Sequence, residues 1–263
     1  MGQASLPLPQ MVYVVKYSMG VTSAWCAGYA RRTWPADDVR YVWHDTKEED
    51  EDTYRFGREF AAALGIEITE RSDGRSVSQV FEDEEFVGNN QNTMCSRILK
   101  QEQGDKYITE LQDAGKEVTL VLGFGAHETK RVTRAVGRAA VGFNTRRPYT
   151  VRFPIIFEGV TKQEAYDWCR DTVGVAPSRQ YEWFDHANCK VCVKGGHDYM
   201  MKSAEIYPIE FGLRADAEER SGYPIVRGGG RAHPMLRDLV QIRLKRKVNR
   251  REPLQIGACE CGD

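Results

Sequence analysis

The stretch Met11–Arg32, MVYVVKYSMGVTSAWCAGYARR, decides the fold. Its β-branched and apolar opening, MVYVV, has the composition of a buried strand. The small and polar YSMGVTS then turns the chain, and AWCAGYARR takes up a helical pattern. The order strand, tight loop, helix recurs downstream. A second strand, VRYVWHD (Val39 to Asp45), precedes the acidic helical start TKEEDEDTYRFGREFAAAL, in which Phe56, Phe60 and Leu64 fall at a spacing of four. IEITE, from Ile66, makes a third strand after Leu64-Gly65 ends that helix. EVTLVLGFG (Glu117 to Gly125) is the longest apolar run and suits a central parallel strand covered on both faces. Strands alternating with helices predict an α/β fold, a doubly wound and mostly parallel sheet with helices on both faces. Ligands of such sheets sit beyond the carboxyl ends of the strands, so the loops beginning at Ser18, Asp45 and Phe124 are expected to share one crevice.

From about Pro154 the texture changes. An amphipathic helix from Thr161 to Thr172 and a Gly-Val-Ala-Pro break lead to the loop HANCKVCVKGGHDY. A helix-like stretch from Met200 to Glu210, the turn Gly228-Gly229-Gly230, the basic RDLVQIRLKRKVNRR and the tail GACECGD complete the chain. With 263 residues, 41% of them hydrophobic, the chain buries a sizeable core, and disorder along its whole length is excluded. No apolar run approaches the roughly 18 residues of a membrane span, and MGQASLPLPQ lacks the basic-then-apolar order of a signal peptide, so a cytoplasmic protein without a membrane partner is expected. Seven cysteines are an odd number in a chain too large to need disulfide staples. Thiol chemistry or metal binding therefore takes precedence over a disulfide framework.

The loop Ser18-Met19-Gly20-Val21-Thr22-Ser23 lies between a strand and a helix, the geometry that aims backbone N–H groups and the helix dipole at an anion. An ordinary N-cap from Thr22 or Ser23 would look similar. Three further segments accompany it: His44-Asp45-Thr46 with Glu51-Asp52-Thr53-Tyr54; Met94-Cys95-Ser96-Arg97-Ile98-Leu99-Lys100; and His186-Ala187-Asn188-Cys189-Lys190-Val191-Cys192-Val193-Lys194-Gly195-Gly196. In this order the four resemble the S-G-G-x-D-S, D-T-G-x-x-x-x-E-T-Y, C-[ST]-R-x-L-K and H-x-N-C-x-x-C-V-K-x-G elements of the PP-loop superfamily. The group is that of phosphoadenosine phosphosulfate (PAPS) reductase, adenine nucleotide alpha hydrolase-like, in a bacterial and phage-borne branch. The resemblance covers roughly Met11 to Met201. It implies a tail over residues 1–10, a nucleotide-binding α/β domain over 11–201, and a helical, basic extension with a Cys tail over 202–263.

The resemblance also implies roles. Ser18, Gly20, Thr22 and Ser23, with Asp45, would hold the phosphates of an adenine nucleotide, whether PAPS, adenosine phosphosulfate (APS) or ATP with Mg. Arg97, Lys100 and Arg152 would hold the anionic end, a task suited to Arg. Glu128 and Arg131, similar to the family's E-x-x-R element, would stand at the substrate mouth, although a solvated helix face with ordinary ion pairs has the same spacing. Met19 and Thr22 replace the family's Gly and Asp, which restricts the turn and removes a magnesium contact. Binding is expected to survive this better than hydrolysis.

Cys189-x-x-Cys192 is a chelating spacing, though such a pair also serves redox chemistry. With Cys95 three ligands are visible. Cys259 and Cys261 are candidates for the fourth, as are His186 and His197; Cys26 and Cys169 lie in helices, where buried apolar cysteine is common. By its likeness to cluster-bearing sulfonucleotide reductases the chain is expected to carry a 4Fe-4S cluster on Cys95, Cys189, Cys192 and Cys259, with zinc as the alternative. Glu260-Cys261-Gly262 resembles the tail motif that delivers a nucleophilic thiolate in those enzymes, making Cys261 the expected nucleophile and a thioredoxin-like protein its reductant. The run Arg243–Arg251 reads as a solvated helix end rather than a nucleic-acid contact. The leading expectation is thus a PAPS/APS reductase-like oxidoreductase that forms sulfite. The alternatives are an ATP-dependent enzyme that thiolates tRNA or DNA, and a nucleotide binder without turnover.

Overall fold

The computed structural model describes residues 10–227 and 233–241. The strands are β1 (Gln10–Lys16), β2 (Asp38–Trp43), β3 (Ile68–Glu70), β4 (Lys116–Val121) and β5 (Thr150–Arg152). The first helices are α1 (Val21–Thr33), α2 (Glu51–Leu64), α3 (Val77–Asp83), α4 (Met94–Ser96) and α5 (Gln103–Asp113). They are followed by α6 (Thr129–Val141), α7 (Pro154–Phe157), α8 (Lys162–Asp167), α9 (His197–Ile206) and α10 (Pro208–Ser221). By its internal contacts the chain splits into two compact units. One comprises Met1–His44, Arg55–Arg71 and Gln101–Pro177, the other Asp45–Tyr54, Ser72–Lys100 and Ser178–Asp263.

The first unit holds the sheet, in the order β3-β2-β1-β4-β5 with every pairing parallel. Val14 of β1 sits beside Arg40 on one side and Leu120 on the other. Strand alternation sends Val12 and Val14 to one face, where they bury with Val42 and Val118 under Tyr107, Ile108 and Leu111 of α5. Tyr13 and Tyr17 go to the opposite face. Tyr13 stacks on Trp34 at the end of α1, ring centroids 4.0 Å apart, and Tyr17 packs with Phe60 of α2. Helices on both faces of a parallel sheet make this the doubly wound α/β fold read from the sequence. Its order reverses at β1, so the loops after β1 and β4 flank the switch point.

Local chemistry explains the boundaries that differ from the sequence reading. The second strand stops at Trp43 because the Asp45 carboxylate accepts the Lys47 N–H at 2.8 Å and turns the chain, with Lys47 at φ 58°. Helix α2 begins at Glu51 rather than near Thr46, since Asp50 accepts the Asp52 N–H at 2.8 Å. β4 ends at Val121, giving a loop of seven residues before α6. The stretch from Met200 to Glu210 is two helices, because Pro208 at the start of α10 cannot continue α9. The amphipathic helix begins as read: Thr161 and Glu164 form a reciprocal capping box.

The second unit is built around an apolar cluster of its own. Val77, Val80 and Phe81 of α3, Cys95, Ile98 and Leu99 pack with Val191, Val193, Tyr199, Met200 and residues of α10. A network of buried polar groups fixes the start of α2 within this unit. Asp50, fully buried, takes Arg179 on both oxygens at 3.0 and 3.1 Å and accepts the Tyr207 hydroxyl at 2.8 Å. Thr53 reaches Ser178 and Gln180, and Gln180 donates to the Asn188 carbonyl. The segment carrying the Cys189 loop is thereby tied to the segment Asp45–Tyr54. Asp50→Ala leaves Tyr207 and the Asp52 N–H without their acceptor, so thermal or urea unfolding is expected to show a loss of about 3 kcal/mol. A loss under about 0.5 kcal/mol, the range of an ordinary surface change, would contradict this role.

Candidate functional sites: a hydroxyl-rich loop and a thiol pocket

In the first unit the loop after β1 is held by its own hydroxyls. Ser23, buried in the first turn of α1, accepts the Ser18 N–H at 3.1 Å and lies 3.2 Å from the Ser18 hydroxyl. It donates to the Gly20 carbonyl at 2.9 Å. Gly20 is the N-cap residue and brings no side chain to cap the helix, and the first turn carries no acidic residue. The positive end of this 13-residue helix thus receives no cap from Gly20 and no acidic side chain in its first turn. Ser23 proves to be the brace of the loop, while Ser18 is exposed at its mouth and Thr22 half-buried.

Met19 occupies the position where glycine is expected, and it adopts the conformation glycine favours, φ 58°. A left-handed residue other than glycine costs roughly 1–2 kcal/mol. Its side chain turns inward, 2% exposed, and packs against Gly57, where an added Cβ would stand 2.3 Å from the Met19 sulfur. The methionine thus fills the space beneath the loop and leaves its mouth clear. From the other side of the switch point Gly123 comes so close that a Cβ would lie 2.9 Å from the Thr22 carbonyl. The loops after β1 and β4 are brought together as expected; Asp45 belongs to the second unit.

In the β4 loop Glu128 accepts the Gly125 N–H at 2.8 Å and pairs with Arg131, whose guanidinium lies 4.1 Å over the Phe124 ring. These two residues hold their own turn at the carboxyl end of β4. Arg152 goes elsewhere: its guanidinium lies 6.0 Å over Trp34, past the far end of α1 from the loop. Cys26 and Cys169 are fully buried, and burial pushes both thiols up to about 12, as suits structural cysteines.

In the second unit Cys95, Cys189 and Cys192 border one apolar cluster. Tyr199 organises the Cys-x-x-Cys turn: its hydroxyl accepts the Cys192 N–H and donates to the Cys189 carbonyl, both at 3.2 Å. Gly195 is required beside it, since a Cβ there would stand 2.0 Å from the Tyr199 ring. Val191, between the cysteines, sits at φ 50°. The Cys189 sulfur lies 3.0 Å from the Thr46 hydroxyl and 3.5 Å from Glu49. Lys100 bonds the same Glu49 oxygen at 3.2 Å, and Lys194 donates to Ser96.

Charges tune these thiols. Burial pushes Cys95 up to about 11, helped by Cys192 and opposed by Lys194, Arg214 and Lys100. Burial and then Glu49 raise Cys189 well above its usual value, while Lys100 counters. Lys100 loses hydration by burial, yet Glu49 and Cys189 keep it protonated beyond its usual range. Arg97 is exposed on the segment after α4. Asp45 is committed to the Lys47 turn and to the Tyr54 hydroxyl at 2.8 Å. Among the described residues no group of three or more His, Cys, Asp and Glu is arranged to hold a single metal ion. Cys259, Cys261 and Arg243–Arg251 lie outside the described residues. Sequence reasoning missed Glu49, Lys194 and Tyr199, whose only signal is their place inside or beside the matched segments.

The fold and the loop define a doubly wound α/β chain with a hydroxyl-rich loop leading into a helix at its switch point. No protein-family model matches the chain, and no curated protein matches it. Among solved structures 21 chains match. One is the NH3-dependent NAD synthetase from Campylobacter jejuni subsp. jejuni NCTC 11168 in complex with the nitrate ion, with a TM-score of 0.35 and 13% identity over 96% of this chain and 90% of that one. No described helix is long and apolar enough to cross a membrane.

Proposed function

We propose that this chain is an adenine-nucleotide-binding enzyme of the PP-loop kind that acts on sulfur, in the manner of a PAPS/APS reductase. One observation carries the reading: the loop Ser18–Ser23 is braced by Ser23, has a glycine and no acidic residue at the helix start, and is clear of the Met19 side chain. Backbone N–H groups at such a helix start suit a phosphate. Ser18, Gly20 and Thr22 form the cradle, with Ser23 beneath them.

The cysteines bordering the apolar cluster of the second unit support an iron-sulfur group of the 4Fe-4S kind, with zinc as the alternative. Cys95, Cys189 and Cys192 would hold it with Cys259, and Thr46, Lys100 and Lys194 supply the hydroxyl and positive charges that steady thiolate ligands. When bound, such a group would supply one-electron chemistry and order the loops that carry its ligands.

The reaction belongs to thiol chemistry at Cys261. Its thiolate attacks the sulfur of the sulfonucleotide, a new S–S bond forms, the S–O bond breaks, and the adenine nucleotide leaves with the electron pair. A dithiol protein of the thioredoxin kind then attacks the Cys261 sulfur. Sulfite departs, and the dithiol supplies the two electrons by becoming a disulfide. Sulfite release from PAPS or APS, measured with a dithiol reductant, is expected from the full chain and lost in Cys261→Ser. Release at an equal rate from the variant would refute this mechanism.

A further inference from the structure

The first unit carries a charge asymmetry that the proposed reaction does not use. Between Glu128 and Arg152 stand seven Lys and Arg against Glu128 alone, a net +6 in a chain whose total is −1. Helix α6 displays most of it. At 100° per residue Lys130, Arg134, Arg138 and Arg131 fall within one stripe of about 100°, opposite the buried Ala139. Lys130, Arg134 and Arg138 follow one another at four-residue steps, about 6 Å of rise each.

The neighbours neutralise only part of this stripe. Arg131 pairs with Glu128, and Arg138 with Asp105 of α5 at 2.6 Å. Arg146 pairs with Asp113, and Arg147 bonds the Gln112 and Lys116 carbonyls. Among the described residues Arg134 and Arg147, both exposed, face no carboxylate within ion-pair distance. Two aromatic rings carry guanidinium groups at the ends of the stripe: Phe124 under Arg131 at 4.1 Å, and Phe143 under Arg138 at 4.5 Å. Phe143 is 49% exposed just past the helix, where Gly142 at φ 64° turns the chain. A cationic track ending at an exposed aromatic ring is a surface on which a flexible polyanion with flat bases gains both charge contacts and stacking.

We infer that the outer face of α6, with Phe143 at its end, binds single-stranded nucleic acid. Phosphates lie along Lys130, Arg134 and Arg138, and a base stacks on Phe143. The amino end of α6 adjoins the β4 loop whose Gly123 abuts α1, so a strand following the helix runs toward the carboxyl end of the sheet. This surface stands independently of the proposed reaction, because binding to it requires neither nucleotide nor metal.

The test is fluorescence anisotropy of a labelled single-stranded oligonucleotide of about 16 nucleotides with the full chain at low salt, nucleotide omitted. Binding that weakens with salt is expected, with the log–log salt slope falling by about 0.7 in magnitude when Arg134→Gln removes one phosphate contact. Phe143→Ala is expected to weaken it about tenfold through lost stacking. Both side chains are exposed, so thermal unfolding serves as the control for folding. No binding at low salt, an unchanged slope in Arg134→Gln, or displacement by poly-glutamate as effective as by unlabelled oligonucleotide would overturn the inference. The last result would assign the surface to an acidic protein. A negative outcome here with sulfite release intact leaves the reductase reading untouched, and the converse holds too.

Discussion

Wild-type protein prepared without oxygen is expected to hold iron and a broad visible absorption, and Cys189→Ser is expected to lose both. The substitution is conservative for the fold. A serine hydroxyl can still meet Thr46 and Glu49, which stand 3.0 and 3.5 Å from the Cys189 sulfur, and the Cys189 carbonyl keeps its bond from Tyr199. What changes is the ligand, since an alkoxide is not available where a thiolate was. Cys192→Ser is expected to behave in the same way. Thr46→Ala, which removes only the hydroxyl beside the sulfur, is expected to weaken iron retention by about tenfold or more. Cys26→Ala and Cys169→Ala act as controls, because burial keeps both thiols protonated in the helical core of the first unit. Iron content equal to wild type in Cys189→Ser, or lost equally in Cys26→Ala, would contradict a cluster on Cys95, Cys189 and Cys192.

Much of the sheet was legible because parallel strands buried on both faces read as unbroken β-branched runs: MVYVV became β1, and the run from Glu117 supplied β4. β5 was not legible. It is three residues long, lies at the sheet edge and precedes Phe153-Pro154, so its length and composition carried little period-two signal. The grouping of Cys95 with Cys189 and Cys192 was visible through the matched segments, whereas Glu49 was not. Its carboxylate meets Thr46, Lys100 and Cys189 only once a bridge between Glu49 and Cys189 joins two stretches 140 residues apart. In the sequence it is one acid in a run of them. Arg152, read as part of an anion-holding set, has its guanidinium 6.0 Å over the Trp34 ring, a contact that nothing in the sequence indicates. Met19 shows how a departure from a motif is absorbed. Gly57 provides the room that lets a methionine hold a backbone angle suited to glycine.

The loop Ser18–Ser23 bears the central claim, and a negative charge introduced at its mouth separates a phosphate site from an ordinary helix start. Ser18 is exposed, and its side chain is a minor part of a brace whose main bond is the Ser18 N–H to Ser23. An aspartate at position 18 brings a negative charge toward the amino end of α1, which in the absence of ligand is neutral to stabilising by roughly 0.3–1 kcal/mol. The same charge stands against a bound phosphate, so the two functions of the loop respond with opposite sign. The most direct measurement is titration of wild-type and Ser18→Asp protein with a fluorescent adenine nucleotide, alongside their thermal unfolding. Saturable binding to the wild type, weakened at least about tenfold in Ser18→Asp with unfolding unchanged or slightly raised, is the predicted result. Equal affinity in both proteins, or no binding to either, would contradict the assignment of this loop to a nucleotide.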